Sequence, residues 1–179
     1  MKEKLFNQKK IIIRPFKLND AYNYGYFDWL ADKEVIKYIY RDELGKGFDK
    51  VKIIKYLKKI LKSKKDIFFS VFIDKKMVGT LKISKINKKT KSGEIGIMIG
   101  EKFFWNKGLG KILILYLIEY CFKKLKMKKI YAGTSLKNIA MKKVFLKLGF
   151  NIFKISKLNF SNKLISIYQF VLLKKEIQL

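Results

Sequence analysis

The chain has 179 residues, enough for one domain with a substantial core, and its 49% hydrophobic content excludes a disordered protein. It contains no histidine and a single cysteine, Cys121, which excludes Ser-His-Asp and Cys-His catalysis, His-based metal sites and an internal disulfide. The formal net charge of +28 indicates a surface that attracts anions, yet only Arg14 and Arg41 of the 42 basic residues are arginines. Base readout favours arginine, so nucleic-acid binding ranks as an alternative.

The hydrophobic periodicity predicts the order β-α-α-β-β-β-α-β-α-β-β around one sheet, an α+β (mixed α/β) domain covering 1–179. Asn19 or Asp20 is the expected N-cap of the first helical segment, and Gly149 a natural helix end. The predicted segments are strand 11–16, one or two short helices within 18–40, helix 48–61, strands 66–73, 77–86 and 94–100, a helix after the glycine turn to about 124, strand 129–135, helix 138–149, and closing strands 150–156 and 164–174.

Two glycines, Gly108 and Gly110, lie in the segment NKGLGK (106–111) between a predicted strand and a predicted helix. The first amides of a helix lack intrahelical partners and sit at the positive end of its dipole. Glycines at this point let a ligand approach the backbone, so the turn resembles a phosphate cradle. It is neither a Walker A loop nor a dinucleotide fingerprint. Taken alone, it is equally compatible with an ordinary tight connection.

Three segments, taken in order, resemble the GNAT family of N-acetyltransferases, and within it the branch that contains the ribosomal-protein N-terminal acetyltransferases. WNKGLG (105–110) resembles the pyrophosphate loop of that branch. Asn138 and the pair Gly149-Phe150 resemble the Asn…Gly-Phe segment of that branch. The segments IRPFKLND (13–20) and WLADKEVIKYI (29–39) resemble its first strand and the helix that follows. The resemblance implies one domain with a central, mostly antiparallel, twisted sheet flanked by helices.

The resemblance also implies acetyl-CoA as cosubstrate. We expect no metal, because the chain has no histidine and one cysteine. Backbone amides of the glycine loop would hold the pyrophosphate, and the preceding strand would pair with the pantetheine arm as an added strand does. The cofactor-binding residues implied are Ile97, Met98, Ile99, Trp105, Asn106, Lys107, Gly108, Leu109, Gly110, Lys111 and Asn138.

Acetyl transfer to an amine requires a base, and Glu94, eleven residues before Trp105, resembles the glutamate base of family members. The other interpretation of Glu94 is a strand carboxylate paired to a lysine. The acid is harder to assign, because Phe145 and Met141 occupy the positions of the family's tyrosine and serine. Solvent protonation of the thiolate, or polarisation of the carbonyl by strand amides, would also serve. The candidate acids are Tyr131 and Ser135, followed by Tyr116 and Tyr120.

The acceptor-binding candidates are the aromatic residues Trp29, Tyr38 and Tyr40 of the first helical region. The basic charge favours an anionic acceptor, a nucleotide-linked amino sugar ahead of a protein N-terminus, and disfavours polyamines. A non-catalytic CoA-binding module is the alternative from another class.

Two expectations concern the setting of the protein. The N-terminal segment lacks a secretory signal and no apolar run approaches a membrane span, so we expect a cytoplasmic protein without a membrane partner. A monomer and a homodimer are equally compatible with the sequence.

Overall fold

The computed structural model describes residues 5–6, 9–45 and 47–176, and within them one sheet of eight strands in the order β1-β2-β3-β4-β5-β6-β8-β7. The strands are β1 (Leu5–Phe6), β2 (Lys9–Pro15), β3 (Ile67–Ile73), β4 (Lys76–Asn87), β5 (Ser92–Ile99), β6 (Lys129–Ser135), β7 (Asn151–Phe160) and β8 (Lys163–Leu173). The helices are α1 (Leu18–Asn23), α2 (Tyr26–Ala31), α3 (Lys50–Lys62), α4 (Leu109–Glu119) and α5 (Ile139–Lys147). This is the predicted α+β fold with a mostly antiparallel sheet.

Only the pairing between β5 and β6 is parallel among the strand pairs of the described residues. The connection between these two strands is α4 with a π-helical turn at Tyr120–Lys124, which confirms the predicted helix to about 124 and the single β-α-β crossover. Both local helix ends of α5 are also confirmed: Asn138 Oδ1 accepts from Met141 N (3.1 Å), and Gly149 has φ +84°.

Side chains from the two faces of the sheet enter two separate hydrophobic clusters. In β3, Phe69 and Val71 pack with α4, whereas Phe68 and Phe72 pack with α1, α2 and α3. This alternation follows from the two-residue period of a strand and explains why β3 is apolar at nearly every position. The sheet therefore has a face covered by α4 and an opposite face on which the first three helices lie. No helix of the described residues has the length and apolar character of a membrane span.

The predicted N-cap at Asn19 or Asp20 is wrong, because α1 begins two residues earlier than Asp20, at Leu18. The Asp20 carboxylate instead accepts from the backbone amide of Lys17 (2.9 Å) and from Ser70 Oγ (2.6 Å). It also accepts hydrogen bonds from both terminal nitrogens of Arg14, Nη1 to Oδ2 at 2.8 Å and Nη2 to Oδ1 at 2.6 Å. Burial acts to raise the pKa of Asp20, but these hydrogen bonds outweigh it and hold the pKa below its ordinary value.

We expect Asp20→Asn to lower the free energy of unfolding by about 3 kcal/mol at neutral pH, because it leaves Arg14 without its buried counter-charge. Since the folded pKa of Asp20 is lowered, the stabilisation is complete above the unfolded pKa of about 3.9 and disappears as pH falls below it. Urea unfolding at pH 7 and pH 3 measures this loss. Asp74→Asn, on an exposed turn, is the control; equal effects from the two variants would contradict the prediction.

Candidate active site

Strands β5 and β6 diverge half-way along their length. Their parallel pairing ends at Ile95 and Ala132. Beyond this point β5 continues along β4 to Ile99, whereas β6 continues along β8 to Ser135. Gly96 stands at the point of divergence, exposed and with open space where a side chain would be. The sheet therefore contains a gap with one strand edge on each side.

The register determines which backbone groups of β5 face this gap. Gly100 N donates to Val78 O of the β4 side at 3.0 Å, and in an antiparallel ladder alternate residues point to the same neighbour. Met98 therefore also directs its N–H and C=O to β4, while those of Ile97 and Ile99 point into the gap. The Ile99 carbonyl accepts from Trp105 Nε1 (2.8 Å). The N–H and C=O of Ile97 and the N–H of Ile99 are left for an extended ligand.

The glycine turn lies beside the end of β5. Gly108 is the N-cap of α4 with φ +85°, and the preceding Asn106 also has a positive φ of 57°. The first bond that closes the helix runs from Lys111 N to Gly108 O (3.1 Å). Within this fully described segment, the amides of 108–110 have no protein acceptor. A Cβ on Gly110 would lie 3.7 Å from Ile97 Cδ1, so these amides sit next to the gap.

The polar side chains around the turn have distinct partners. The Trp105 indole N–H donates to the Ile99 carbonyl, and this hydrogen bond holds the turn against the strand. The Lys107 ammonium lies 3.5 Å from the ring centroid of Phe103, and Lys111 is exposed. The Oδ1 atom of Asn138 is used in capping α5, and its amide nitrogen has no acceptor in the described part of the chain.

A cleft of about 890 Å³ opens where β5 and β6 separate. Its volume lies in the range of small-ligand sites. Five residues predicted from the sequence lie together in its lining: Glu94, Tyr131, Ser135, Tyr38 and Tyr40. Residues of β4, β5, β6, β7 and β8 complete it, among them Asn87 (β4), Ser92 (β5), Thr134 (β6), Phe153, Ser156 and Lys157 (β7), and Ile167 and Gln169 (β8).

Glu94 lies on β5 two residues before the point of divergence, opposite Tyr131 of β6. Glu94 alternates with Ile95 and Ile97, which pack against the α4 face, so it faces the other side of the sheet, where the cleft opens. Its Oε2 accepts from Lys85 Nζ at 2.6 Å, and its side chain is 37% exposed. The lysine partner is the feature that the second interpretation of Glu94 expects, whereas its position in the cleft is the one that a base requires.

The four candidate acids divide between the two faces of the sheet. Tyr131 lines the cleft with its ring centroid 5.7 Å from that of Phe153. Ser135 is buried in the lining, and its Oγ accepts from Lys137 N at 3.3 Å while keeping its own proton to donate. Tyr116 and Tyr120 project from the α4 region onto the core, with ring centroids 6.1 and 5.2 Å from that of Phe69.

The acceptor candidates also divide. Tyr38 donates to the carbonyl of Lys137 (3.2 Å) and Tyr40 packs edge-on against Phe160 (5.4 Å between ring centroids), so both aromatic rings border the cleft. Trp29 is buried in the helical cluster, outside the lining. Its indole nitrogen donates to Glu101 Oε1 at 3.3 Å.

Lys85 is the cleft residue that sequence reasoning missed. It has φ +53° at an irregularity of β4, where the register shifts between Ser84 and Asn87. A bulge of this kind redirects a side chain. The sequence signal is weak, because lysine is the commonest residue here and the alternation in this segment breaks only at KINKK.

The single thiol is buried under α4, and we expect it to be inert. Cys121 is fully buried, and burial raises the pKa of its thiol to about 12. Native protein is therefore expected not to react with a disulfide reagent at pH 8, whereas protein in 6 M guanidinium releases one equivalent of coloured thiolate. Rapid native labelling would contradict the burial. The consequence is practical: a thiol-release assay on this protein has no internal background.

Comparisons with known proteins agree with this geometry. Residues 10–151 match the family model described as "Acetyltransferase (GNAT) domain". Acetyltransferase PseH from Campylobacter jejuni is 30% identical over 100 residues, 56% of this chain and 60% of that protein. An uncharacterized Methanocaldococcus jannaschii protein, MJ1062, is 37% identical over 73 residues, 41% of this chain and 14% of that protein. The matched parts thus span under two thirds of both curated relatives.

Solved structures share the whole fold. The spermidine N-acetyltransferase of Vibrio cholerae, solved with CoA and spermine, has a TM-score of 0.81 at 17% identity and covers 93% of this chain and 96% of its own. A domain from Methanocaldococcus jannaschii has a TM-score of 0.72 at 26% identity, and the match covers 92% of this chain and 99% of that domain. With a family model that spans most of the chain and this common architecture, the chain belongs to the GNAT acetyltransferase family.

Proposed function

We propose that the protein transfers an acetyl group from acetyl-CoA to a primary amine that enters the cleft at Glu94. One observation carries the proposal: the gap between β5 and β6, the unbonded amides of the glycine turn and the Glu94 cleft meet at the same end of the sheet. A donor bound along the gap would bring its thioester to the cleft, and the family membership supports this arrangement.

The residues at the gap fit acetyl-CoA, which supplies an activated thioester. Amides of the Gly108 turn would bind the pyrophosphate with help from the helix dipole. The free N–H and C=O of Ile97 would pair with the amides of the pantetheine arm, as an added strand does. Trp105 holds the turn against Ile99 and acts as a positioning residue, since its indole proton already has an acceptor. The Asn138 amide nitrogen is a further donor.

The proposed chemistry uses groups on both sides of the gap. Glu94 accepts the proton that the amine loses, directly or through one water. An N–H of the Ile97–Ile99 edge donates to the carbonyl oxygen as negative charge develops there. The departing sulfur takes a proton from Tyr131, Ser135 or solvent. Lys85 donates to Oε2 of Glu94 at 2.6 Å and so orients the carboxylate that acts as the base.

For the acceptor we propose a nucleotide-linked amino sugar, with a protein N-terminus as the second choice. The aromatic rings of Tyr38 and Tyr40 suit a planar or sugar ring, and the net charge of +28 favours an anionic molecule over a polyamine. Placement in the branch of ribosomal-protein N-terminal acetyltransferases rests on the sequence resemblance and would favour the second choice. We also propose that the protein acts in the cytoplasm.

A non-catalytic CoA-binding module is the second candidate function. It is favoured by Phe145 and Met141, which occupy the positions where the resemblance to the family implies a tyrosine acting as the acid and a serine. Phe145 is buried against Phe150 and Phe170, so its position offers no replacement donor. A nucleic-acid-binding protein is a weaker candidate, since arginine is scarce.

The test is thiol release from acetyl-CoA, combined with mass spectrometry of the product, against nucleotide-linked amino sugars, peptides with free N-termini and polyamines. Release with the first or second class, with a product heavier by one acetyl group, is the expected result. Binding of acetyl-CoA without release for any amine would favour the binding module. Turnover of polyamines at low salt would contradict the anionic acceptor.

A further inference from the structure

A second pocket, of about 600 Å³, adjoins the cleft, and four of its six lining residues are lysines. Its lining consists of Lys64, Lys65, Lys85, Ile86, Asn87 and Lys88. Two of these residues, Lys85 and Asn87, also line the cleft at Glu94. The two cavities therefore share part of their lining, which includes the lysine that contacts the candidate base.

The fold, rather than a flexible run of sequence, brings these lysines together. Lys64 and Lys65 lie in the turn between α3 and β3, and Lys85 and Lys88 lie at the irregular end of β4. The backbone bond from Ile86 N to Lys65 O (3.0 Å) joins the two segments. Four lysines therefore line one concavity, although like charges repel.

Three of the four lysines of this pocket, all except Lys85, have no acidic partner in the described part of the chain. No acidic residue is in the lining, and among the described residues the side chains of Lys64, Lys65 and Lys88 have no ion-pair partner. The neighbouring Asp66 is already engaged with Ser63 Oγ (2.6 Å) and with Lys82 (3.7 Å). An uncompensated cluster in a concave site favours a multiply charged anion.

Lys85 connects the pocket to the chemistry. Its ammonium has three donors, of which one binds Glu94 at 2.6 Å, so two are left for an anion in the lysine pocket. If the phosphate of an acceptor contacts Lys85, the rest of the acceptor can lie in the cleft. Its distance from Glu94 is then no more than the length of a lysine side chain.

We propose that the lysine pocket is the phosphoryl subsite for the acceptor, which carries a phosphate or diphosphate that anchors it while its amine reaches Glu94. This inference rests on the proposed acetyl transfer and specifies its acceptor as phosphorylated. The phosphoryl group has two possible sources, the diphosphate of a nucleotide-linked amine or the phosphate of a phosphorylated amino sugar. Lys85 is the residue that couples phosphoryl binding to the position of the base.

The test is calorimetric titration of UDP and of inorganic phosphate into the whole protein without acetyl-CoA. The variant carries Lys64→Gln, Lys65→Gln and Lys88→Gln, and it keeps Lys85 so that the partner of Glu94 is unchanged. A matched control carries Lys33→Gln, Lys75→Gln and Lys143→Gln, which remove the same charge outside both cavities. All six are exposed, so both proteins are expected to fold.

UDP is expected to bind the pocket variant about tenfold more weakly than it binds the wild type, because three partly exposed ion pairs with the phosphates are lost. It is expected to bind the control variant less than about twofold more weakly than the wild type. Tighter binding of UDP than of phosphate assigns the site to a nucleotide-linked acceptor, and equal binding assigns it to a phosphorylated amino sugar. Equal weakening in the two variants, or no UDP binding to the wild type, would overturn the proposal.

Kinetics separate the failure of this inference from that of the proposed function. With glucosamine 1-phosphate or a nucleotide-linked amino sugar that is turned over, the pocket variant is expected to raise KM about tenfold with unchanged kcat. If no acetyl transfer is found but UDP still binds the wild type more tightly than the pocket variant, the proposed transferase function is contradicted and the anion site is supported. Transfer with a KM that does not respond to the pocket variant would overturn the subsite alone.

Discussion

Glu94→Gln is expected to lower kcat by a factor of about 10² to 10⁴, the usual contribution of a general base. The substitution keeps the size of the side chain but removes the charge that accepts the amine proton. Because Glu94 lies beside the gap and not in the glycine turn, the KM for acetyl-CoA is expected to remain within about twofold of the wild type. Steady-state thiol release at saturating acceptor measures both constants.

The same variant gives a pH signature. Primary amines have pKa values of about 8 to 10, so the fraction that needs a base falls as pH rises. The deficit of Glu94→Gln is therefore expected to shrink towards high pH. Asp74→Asn removes one carboxylate from the distant β3–β4 turn and serves as the matched control. An unchanged kcat, or a deficit that is constant with pH, would contradict the assignment of the base.

Gly100→Ala is expected to lower the free energy of unfolding by about 3 kcal/mol, at the upper end of overpacking costs. A Cβ at this position would lie 1.9 Å from Cδ2 of Trp29 and 2.4 Å from two further ring atoms. The indole is buried and hydrogen-bonded to Glu101, so moving it away would disrupt its packing and this hydrogen bond. For a chain of this size the loss corresponds to a decrease of about 6–12 °C in Tm.

A double-mutant cycle isolates the cause. In a Trp29→Leu background, Gly100→Ala is expected to cost less than about 1 kcal/mol, because the ring that it strikes is gone. Gly96→Ala, which adds the same methyl group into open space, is the matched single control. Urea unfolding measures the four proteins of the cycle and the Gly96→Ala control. Equal costs of Gly100→Ala in the two backgrounds would show that the contact between ring and glycine is not what limits this position.

Features that depend on a few consecutive residues could be predicted from the sequence. The Asn138 cap and the Gly149 helix end arise from local backbone chemistry, and the glycine turn arises from a positive φ at Gly108 before an apolar run. Asp20 shows the limit of this reasoning. Its side chain has the right type for an N-cap, but Arg14, the Lys17 amide and the distant Ser70 hold it one turn further into the helix.

Features that depend on how distant strands meet could not be predicted. The gap exists because β5 follows β4 while β6 follows β8 beyond Ile95 and Ala132, and no local pattern records that choice. The aromatic residues of the first helical region illustrate the same point. Tyr38 reaches the cleft and Trp29 packs against Gly100, although both are aromatic residues of the same predicted helical region.

The most direct test of the account is a titration of ¹⁵N-labelled protein with acetyl-CoA, followed through its backbone amide signals. If acetyl-CoA occupies the gap between β5 and β6, the amides of Ile97, Ile99, Gly108, Leu109 and Gly110 shift most. The amide of Met98 shifts less, because it is directed to β4. Saturating acetyl-CoA that leaves these five amides unchanged would contradict the account.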